Sequence, residues 1–339
     1  MVKMRKIDYS KIRNIIILRL GKIGDLIISS FVFSAIKKFN PESKIYLVTL
    51  KKNEDVLRVN PDIDEIYSMH QNVLEISKLF PLKFNIKTDL IIDLNDNDSK
   101  TSAFLLNFFK AKYKLGFNFS SQSKYLTHLI NQPDKEKTHL IERYAHLLKE
   151  SGLPISDEEI KPIMYLDPEI EKNVLNELNQ FKTHYKLIGI NISAGANIRR
   201  YPIEKWNELI KALRNKYESI KFIILHDWLD KKEARMITGN FNPDYFIQTS
   251  GDTFQHFAAK IKNLDLLITP DTSAVHLCST FQIPVIALYP NVKWNFVSFA
   301  PYKTPYKSIL SNSEEIKNIP VEKIIDSFEE LIHELRWTL

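Results

Sequence analysis

Three stretches of this chain place side chains where they can act together on a ligand. In Arg19-Leu-Gly-Lys-Ile-Gly-Asp25, Gly21 and Gly24 flank Lys22 and Ile23 and lead straight into a carboxylate. Such glycines let a loop pass close to a ligand, and Asp25 then projects at the start of the next helix. The plain alternative is that Asp25 only caps that helix, which explains the carboxylate but not the paired glycines. The second stretch, Ser193-Ala-Gly-Ala-Asn-Ile-Arg-Arg-Tyr-Pro202, puts small residues (Ser193, Ala194, Gly195) ahead of two arginines, Arg199 and Arg200. Close backbone N–H groups with a neutralising guanidinium suit a pyrophosphate, although solvated arginines on a surface loop have the same composition. In the third, Thr269-Pro-Asp-Thr-Ser-Ala-Val-His276, an apolar run stops and a helical pattern begins. Asp271 is placed to cap that helix, whose N-terminus favours anions. Thr272 and His276, one turn apart, share a face with it. A capped helix with a satisfied histidine is the competing reading.

Each stretch needs a strand before it and a helix after it. Asn14 to Leu18 reads as a buried strand and Leu26 to Phe39 as one helix, apolar almost all round. Lys44 to Thr49, Glu65 to Met69 and Asp89 to Leu94 read as further strands, with helical stretches between them and Lys137 to Glu150 as the last helix of this half. Alternation of this kind means a parallel sheet. In the second half, Leu187 to Ile192, Phe222 to His226 and Tyr245 to Gln248 read as strands. Leu264 to Pro290 adds a strand–helix–strand unit, Glu204 to Leu213 a helix, and Val321 to Trp337 a closing helix. The proline-bearing stretch 153–168 separates domains at 1–152 and 169–339, with the closing helix free to pack back on the first. After Leu94 comes Asp96-Asn-Asp98, the D-x-D form that holds a divalent metal in some enzymes. It is also an ordinary polar turn, and the expected metal content is none. Lys100, Thr101 and Ser102 follow, placed to face an anionic acceptor; Phe104 to Phe109 reads as core, with a membrane-facing patch as the alternative.

Composition narrows the class. The 339 residues are 44% hydrophobic and 26% charged, ordinary for a globular protein large enough for two cores. The net charge of +6 is spread along the chain, which suits an anionic substrate or an acidic membrane surface and not a nucleic acid. A single cysteine, Cys278, excludes an internal disulfide and a cysteine zinc cluster. The apolar run at Ile15 to Leu18 is broken by Arg19, and Leu26 to Ile36 is too short to span a bilayer, so a cytoplasmic protein is expected. The fingerprint G-x-G-x-x-G is missing, which argues against a dinucleotide dehydrogenase.

Taken in order, Arg19 to Asp25, Asn191-Ile-Ser-Ala-Gly195 with Arg199-Arg-Tyr-Pro202 and Trp206, and Pro270 to His276 resemble the ADP-heptose:lipopolysaccharide heptosyltransferases of glycosyltransferase family 9. The resemblance runs from about Asn14 to the C-terminus and is weakest between Gln71 and Glu142. It implies a GT-B fold, two Rossmann-like α/β domains with parallel sheets facing a central cleft, acceptor on the N-terminal side and nucleotide sugar on the C-terminal side. It implies that Asp25 is the catalytic base and that Arg199 stabilises the leaving diphosphate. Ser193, Ala194, Gly195, Arg200, Asp271, Thr272, Ser273 and His276 then fall at donor positions, with Gly21, Lys22, Gly24 and Lys100 in the acceptor loops. The implied reaction is heptose transfer from ADP-heptose, with inversion and without a cofactor. The implied acceptor is an anionic lipid-linked oligosaccharide, met at the cytoplasmic face of the inner membrane. Tyr201 stands where the family usually has tryptophan, and Ser273 where it usually has glycine. Ser273 puts a side chain beside the donor and keeps another nucleotide sugar open. A non-catalytic protein that binds a nucleotide sugar or a glycan is the alternative from another class.

Overall fold

A computed structural model describes residues 6–70 and 73–339, and the chain divides into two compact units, Met1–Tyr165 and Leu166–Leu339. In the first unit the elements are β1 (Asn14–Arg19), α1 (Ile23–Ser29), α2 (Phe31–Phe39), β2 (Lys44–Leu50), β3 (Glu65–Met69), α3 (Phe80–Asn85), β4 (Leu90–Asp93), α4 (Lys100–Phe108), β5 (Tyr113–Phe117), β6 (His128–Ile130) and α5 (Leu140–Ser151). The strands run parallel in the order β3-β2-β1-β4-β5-β6. β1 holds the centre because Ile15, Ile16, Ile17 and Leu18 are all fully buried, as a strand covered on both faces requires. From β1 the chain builds outward to β3, and from β4 outward to β6. The carboxyl ends of β1 and β4 therefore form the switch point at which open α/β sheets bind ligands.

The single helix expected over Leu26 to Phe39 is two helices. Ser29 and Ser30 turn their hydroxyls back onto the carbonyls of Leu26 and Ile27, at 2.9 and 2.6 Å, and this local bonding competes with the helical ladder. The Ser30 hydroxyl also accepts the Ile163 N–H at 2.7 Å. That bond, with buried Leu153, Ile155 and Ile160, draws much of the expected linker into the first unit. Helix α5 starts later than expected because the His139 ring caps it by accepting the Ile141 N–H, and it ends at Gly152, whose φ of 113° suits glycine.

The second unit comprises α6 (Pro168–Lys182), β7 (Lys186–Asn191), α7 (Ile203–Lys216), β8 (Ile220–Leu225), α8 (Lys231–Gly239), α9 (Phe254–Lys262), β9 (Leu266–Pro270), α10 (Ser273–Phe281), β10 (Val285–Tyr289), α11 (Lys293–Phe299), β11 (Tyr306–Leu310) and α12 (Val321–Glu334). Its parallel sheet has the order β11-β10-β9-β7-β8, and the switch point falls between β7 and β9. Tyr245 to Gln248 is not a strand. Pro243 opens a tight 3-10 turn, and only Phe246 bridges to the sheet, at Phe222. The closing helix stops at Glu334, before Arg336 takes a left-handed φ of 55°. Its Ile324, Phe328 and Leu331 are buried in this unit's own core, beside Trp206 and Leu209, so it packs on its own sheet. Among the described residues no helix is long and apolar enough to cross a membrane.

Candidate active site

Both switch points hold the residues singled out above, and each is a built charge network. In the first unit Arg19 ends β1 with only 1% of its surface exposed. Its Nη2 lies 3.2 Å from Asp25 and its Nη1 3.7 Å from Asp96, while its guanidinium sits over the Tyr144 ring at 5.6 Å. Burial alone would depress Arg19; Tyr144, Asp25, Asp96 and Asp93 around it outweigh burial and hold its pKa above the ordinary value. Neither Nε nor Nη2 makes an aligned hydrogen bond, so the hold on Asp25 is one of charge.

Asp25 is the third residue of α1, and its Oδ2 accepts the Lys22 N–H at 2.9 Å. It therefore satisfies an orphan donor at the helix start without being the N-cap, which is Lys22. Gly21 is explained by close approach: a Cβ there would sit 2.5 Å from Asp25 Oδ2 and 3.1 Å from the Arg19 guanidinium. The Gly21 carbonyl is fixed by Asn53 at 2.9 Å. Gly24 lies in the first turn of α1, and the side chain of Lys22 is exposed.

The D-x-D residues serve different purposes. Asp96 faces Arg19 and also Arg143, whose Nη1 lies 3.7 Å from Oδ2, and the Asp96 carbonyl accepts Lys135 at 2.7 Å. Asp98 points elsewhere, accepting the Ser121 N–H and hydroxyl at 2.8 and 2.7 Å and Ser120 at 3.0 Å. The Ser121 N–H above all lowers its pKa. Ser102 does not face outward as expected; it is fully buried and donates to Asp93. Asp93 in turn takes the Asn95 side chain at 2.6 Å, and Asn95 accepts the Leu20 N–H at 3.2 Å, which ties the β1 and β4 loops together. Lys100 and Thr101 are exposed on the first turn of α4. Sequence reading missed Asp93, Arg143 and Tyr144. Arg143 left a readable signal: a cation inside the apolar pattern Leu140, Ile141, Tyr144, Leu147, Leu148.

In the second unit Asp271 is not the helix cap. Thr272 is: its hydroxyl accepts the Ala274 N–H at 3.3 Å and the Asn191 amide at 3.2 Å. Asp271, 3% exposed, instead anchors Arg199, whose Nη1 reaches its carboxylate at 3.2 Å and its carbonyl at 3.1 Å. Asn295 donates to the same carboxylate at 2.7 Å. A mostly buried arginine is thereby fixed beside the N-terminus of α10, and its Nε makes no hydrogen bond.

The Ser193 hydroxyl is used within the chain, donating to Asp230 at 2.6 Å and accepting the Asp227 N–H at 2.8 Å. Arg200 binds the other Asp230 oxygen at 2.7 Å, and that bond raises its pKa. Asp230 and Asp227, at the next strand's carboxyl end, were missed in the sequence. Ala194 is half-buried and Gly195 exposed. A Cβ at Gly195 would meet nothing within 4 Å, so the chain's own packing does not demand glycine there. Ser273 opens α10 half-buried, whereas His276 is 4% exposed with its ring 6.1 Å from that of Phe299. Thr272 and Ser273 thus line the helix mouth, and His276 belongs to its packing.

Beyond the end of β8 lies a cavity of about 280 Å³ lined by Lys231, Arg235 and Lys260 among others. Lys260 donates to the Gly251 carbonyl at 2.8 Å, and burial lowers its pKa.

The sequence pattern of glycosyltransferase family 9 (heptosyltransferase) matches residues 85–328. The lipopolysaccharide heptosyltransferase 1 of Campylobacter coli is 22% identical over 319 residues, 90% of this chain and 91% of that protein. A family 9 glycosyltransferase structure from Veillonella parvula superposes with a TM-score of 0.80 at 19% identity, covering 97% of this chain and 99% of the other. The Escherichia coli heptosyltransferase WaaC, solved with ADP, gives 0.72 at 15% identity, covering 95% and 98%. These likenesses establish the GT-B fold, and the extent of the family match makes the conclusion plain: the chain belongs to glycosyltransferase family 9 and is a glycosyltransferase.

Proposed function

We propose that this enzyme transfers a heptose from ADP-heptose to a lipopolysaccharide or lipooligosaccharide core acceptor, with inversion at the anomeric carbon. The observation that carries the reading is Asp25, held by the Lys22 N–H and the Arg19 charge, with Gly21 keeping the space around it clear. Asp25 takes the proton of an acceptor hydroxyl as that oxygen bonds to the anomeric carbon and the bond to the diphosphate breaks. A carboxylate positioned against the acceptor oxygen is the general base this step needs. Negative charge grows on the departing diphosphate, and in the second unit Arg199 and the N-terminus of α10 are the groups suited to receive it. Gly195, with open space around it, suits close backbone approach by the same diphosphate.

The scheme routes no step through a metal, and the engagement of Asp96 by two arginines and of Asp98 by two serines favours it. Similarity to the lipopolysaccharide heptosyltransferase 1 of Campylobacter coli supports the lipopolysaccharide acceptor, and an anionic lipid-linked substrate would bring the enzyme into peripheral contact with the cytoplasmic face of the inner membrane. Half-buried Ser273 at the helix mouth is the residue that favours a second reading, another nucleotide sugar as donor.

The test is Asp25→Asn assayed with ADP-heptose and, beside it, other nucleotide sugars. Turnover is expected to fall about 10²–10⁴-fold while ADP affinity stays within error of wild type. A purified variant with near wild-type turnover removes Asp25 as the base; preference for another nucleotide sugar transfers the proposal to that donor.

A further inference from the structure

The first unit carries three exposed phenylalanine rings, Phe80, Phe84 and Phe104, joined through a fourth, Phe108, that packs on its core. Phe84 meets Phe80 edge-on at 5.7 Å, Phe80 stacks on Phe108 at 6.3 Å, and Phe108 stacks on Phe104 at 6.1 Å. Helices α3 and α4 already bury Leu82, Leu105 and Leu106 against the sheet, yet Phe84 is 71% exposed, Phe104 45% and Phe80 44%. Isolated exposed phenylalanines are common; three exposed rings joined through a fourth are not.

Lys83 lies over the Phe108 ring at 3.8 Å and the Phe84 ring at 5.5 Å. Neither helix contains a carboxylate; exposed Lys100 opens α4, and exposed Lys87 and Lys110 follow α3 and α4 in sequence. The carboxylates around them in sequence are turned to other partners: Glu75 to His70 and Lys78, Asp89 to the Arg13 and Asn14 N–H groups, Asp98 to Ser120 and Ser121.

We propose that this strip docks the enzyme on a bilayer of anionic lipids, the rings entering the interface and the lysines meeting phosphate headgroups. Rings for the acyl boundary and long cationic side chains for the headgroups are the chemistry of an interfacial anchor. A two-fold contact with a second copy would set lysines against lysines and is disfavoured by the same charge. The inference deepens the proposed lipid-linked acceptor and rests on it for its purpose, but vesicle binding is read without any transfer.

The experiment is flotation of the full chain with phosphatidylglycerol-containing vesicles and with phosphatidylcholine vesicles, for wild type and for Phe84→Ser with Phe104→Ser. Wild type is expected to float with the anionic vesicles, less so at high salt, and the double variant to bind about tenfold or more weakly. Its melting temperature with and without ADP should match wild type; should it fail to fold, Phe84→Ser alone, at the most exposed ring, carries the comparison. Wild type that stays off anionic vesicles overturns the proposal, as does a variant that floats like wild type. Self-association in sedimentation velocity that the variant abolishes overturns it too. Flotation that persists in a preparation inactive with ADP-heptose supports the surface and counts only against the proposed donor.

Discussion

At the scale of single residues, Gly21 leaves no room for a side chain beside Asp25. Adding one methyl group there forces Asp25 off its place between the Lys22 N–H and Arg19, because the new Cβ would lie 2.5 Å from Oδ2. Gly21→Ala should therefore fold and bind ADP but lose about a hundredfold in turnover, the usual cost of a misplaced reacting group. Unaltered kcat in that variant would mean that the placement of Asp25 is not used in catalysis. Asp96 is the complementary case. With its carboxylate removed, Arg19 and Arg143 keep their buried charges but lose the acid between them. Asp96→Asn should cost about 3 kcal/mol in denaturant unfolding, the scale for breaking a buried ion pair. A midpoint within error of wild type would show that the two arginines neutralise their charges elsewhere.

At the scale of elements, the capping of α10 decides what its N-terminus can offer. The Thr272 hydroxyl takes one orphan N–H and ties the helix to Asn191 at the end of β7. Thr272→Ala should lower stability by about 1 kcal/mol and weaken ADP binding with it, read as a smaller nucleotide-induced rise in melting temperature. Equal nucleotide shifts in the two proteins would detach the cap from donor binding. This junction also shows what was legible in the sequence. The apolar run of β9, the break after Pro270 and the helix that follows are local signals, and they were readable. Whether Asp271 or Thr272 caps the helix depends on Arg199 and Asn295, residues distant in sequence that claim the aspartate, and no local pattern carries that information. The break at Ser30 and the short strands β5, β6 and β11 also escaped notice. Serine back-bonding and strands of three to five residues leave little hydrophobic periodicity behind. The candidate site was legible where glycine spacing and charge mark it, Arg143 included, and illegible at Asp230, whose partners Ser193 and Arg200 lie far back along the chain.

At the scale of the whole molecule, each unit has its own parallel sheet, its own hydrophobic core and one charged network at its switch point. Such units need not unfold together, and a ligand that binds one of them stabilises that one first. ADP carries the diphosphate but no acceptor, so it should protect the segments 191–202 and 271–276 from hydrogen exchange and leave 19–25 almost unchanged. The size of the effect is set by occupancy: ADP at 100 times its dissociation constant is worth about 2.7 kcal/mol, close to a hundredfold slowing of exchange for amides that open only when the second unit unfolds. Arg199→Ala should abolish most of that protection, since it removes the cation fixed beside α10 while leaving the helix and its cap in place. Protection confined to the first unit would reverse the assignment of donor and acceptor sides. Protection that survives Arg199→Ala at full strength would instead move the diphosphate toward the other cations of this unit, Arg200 and the lysines lining the cavity beyond β8.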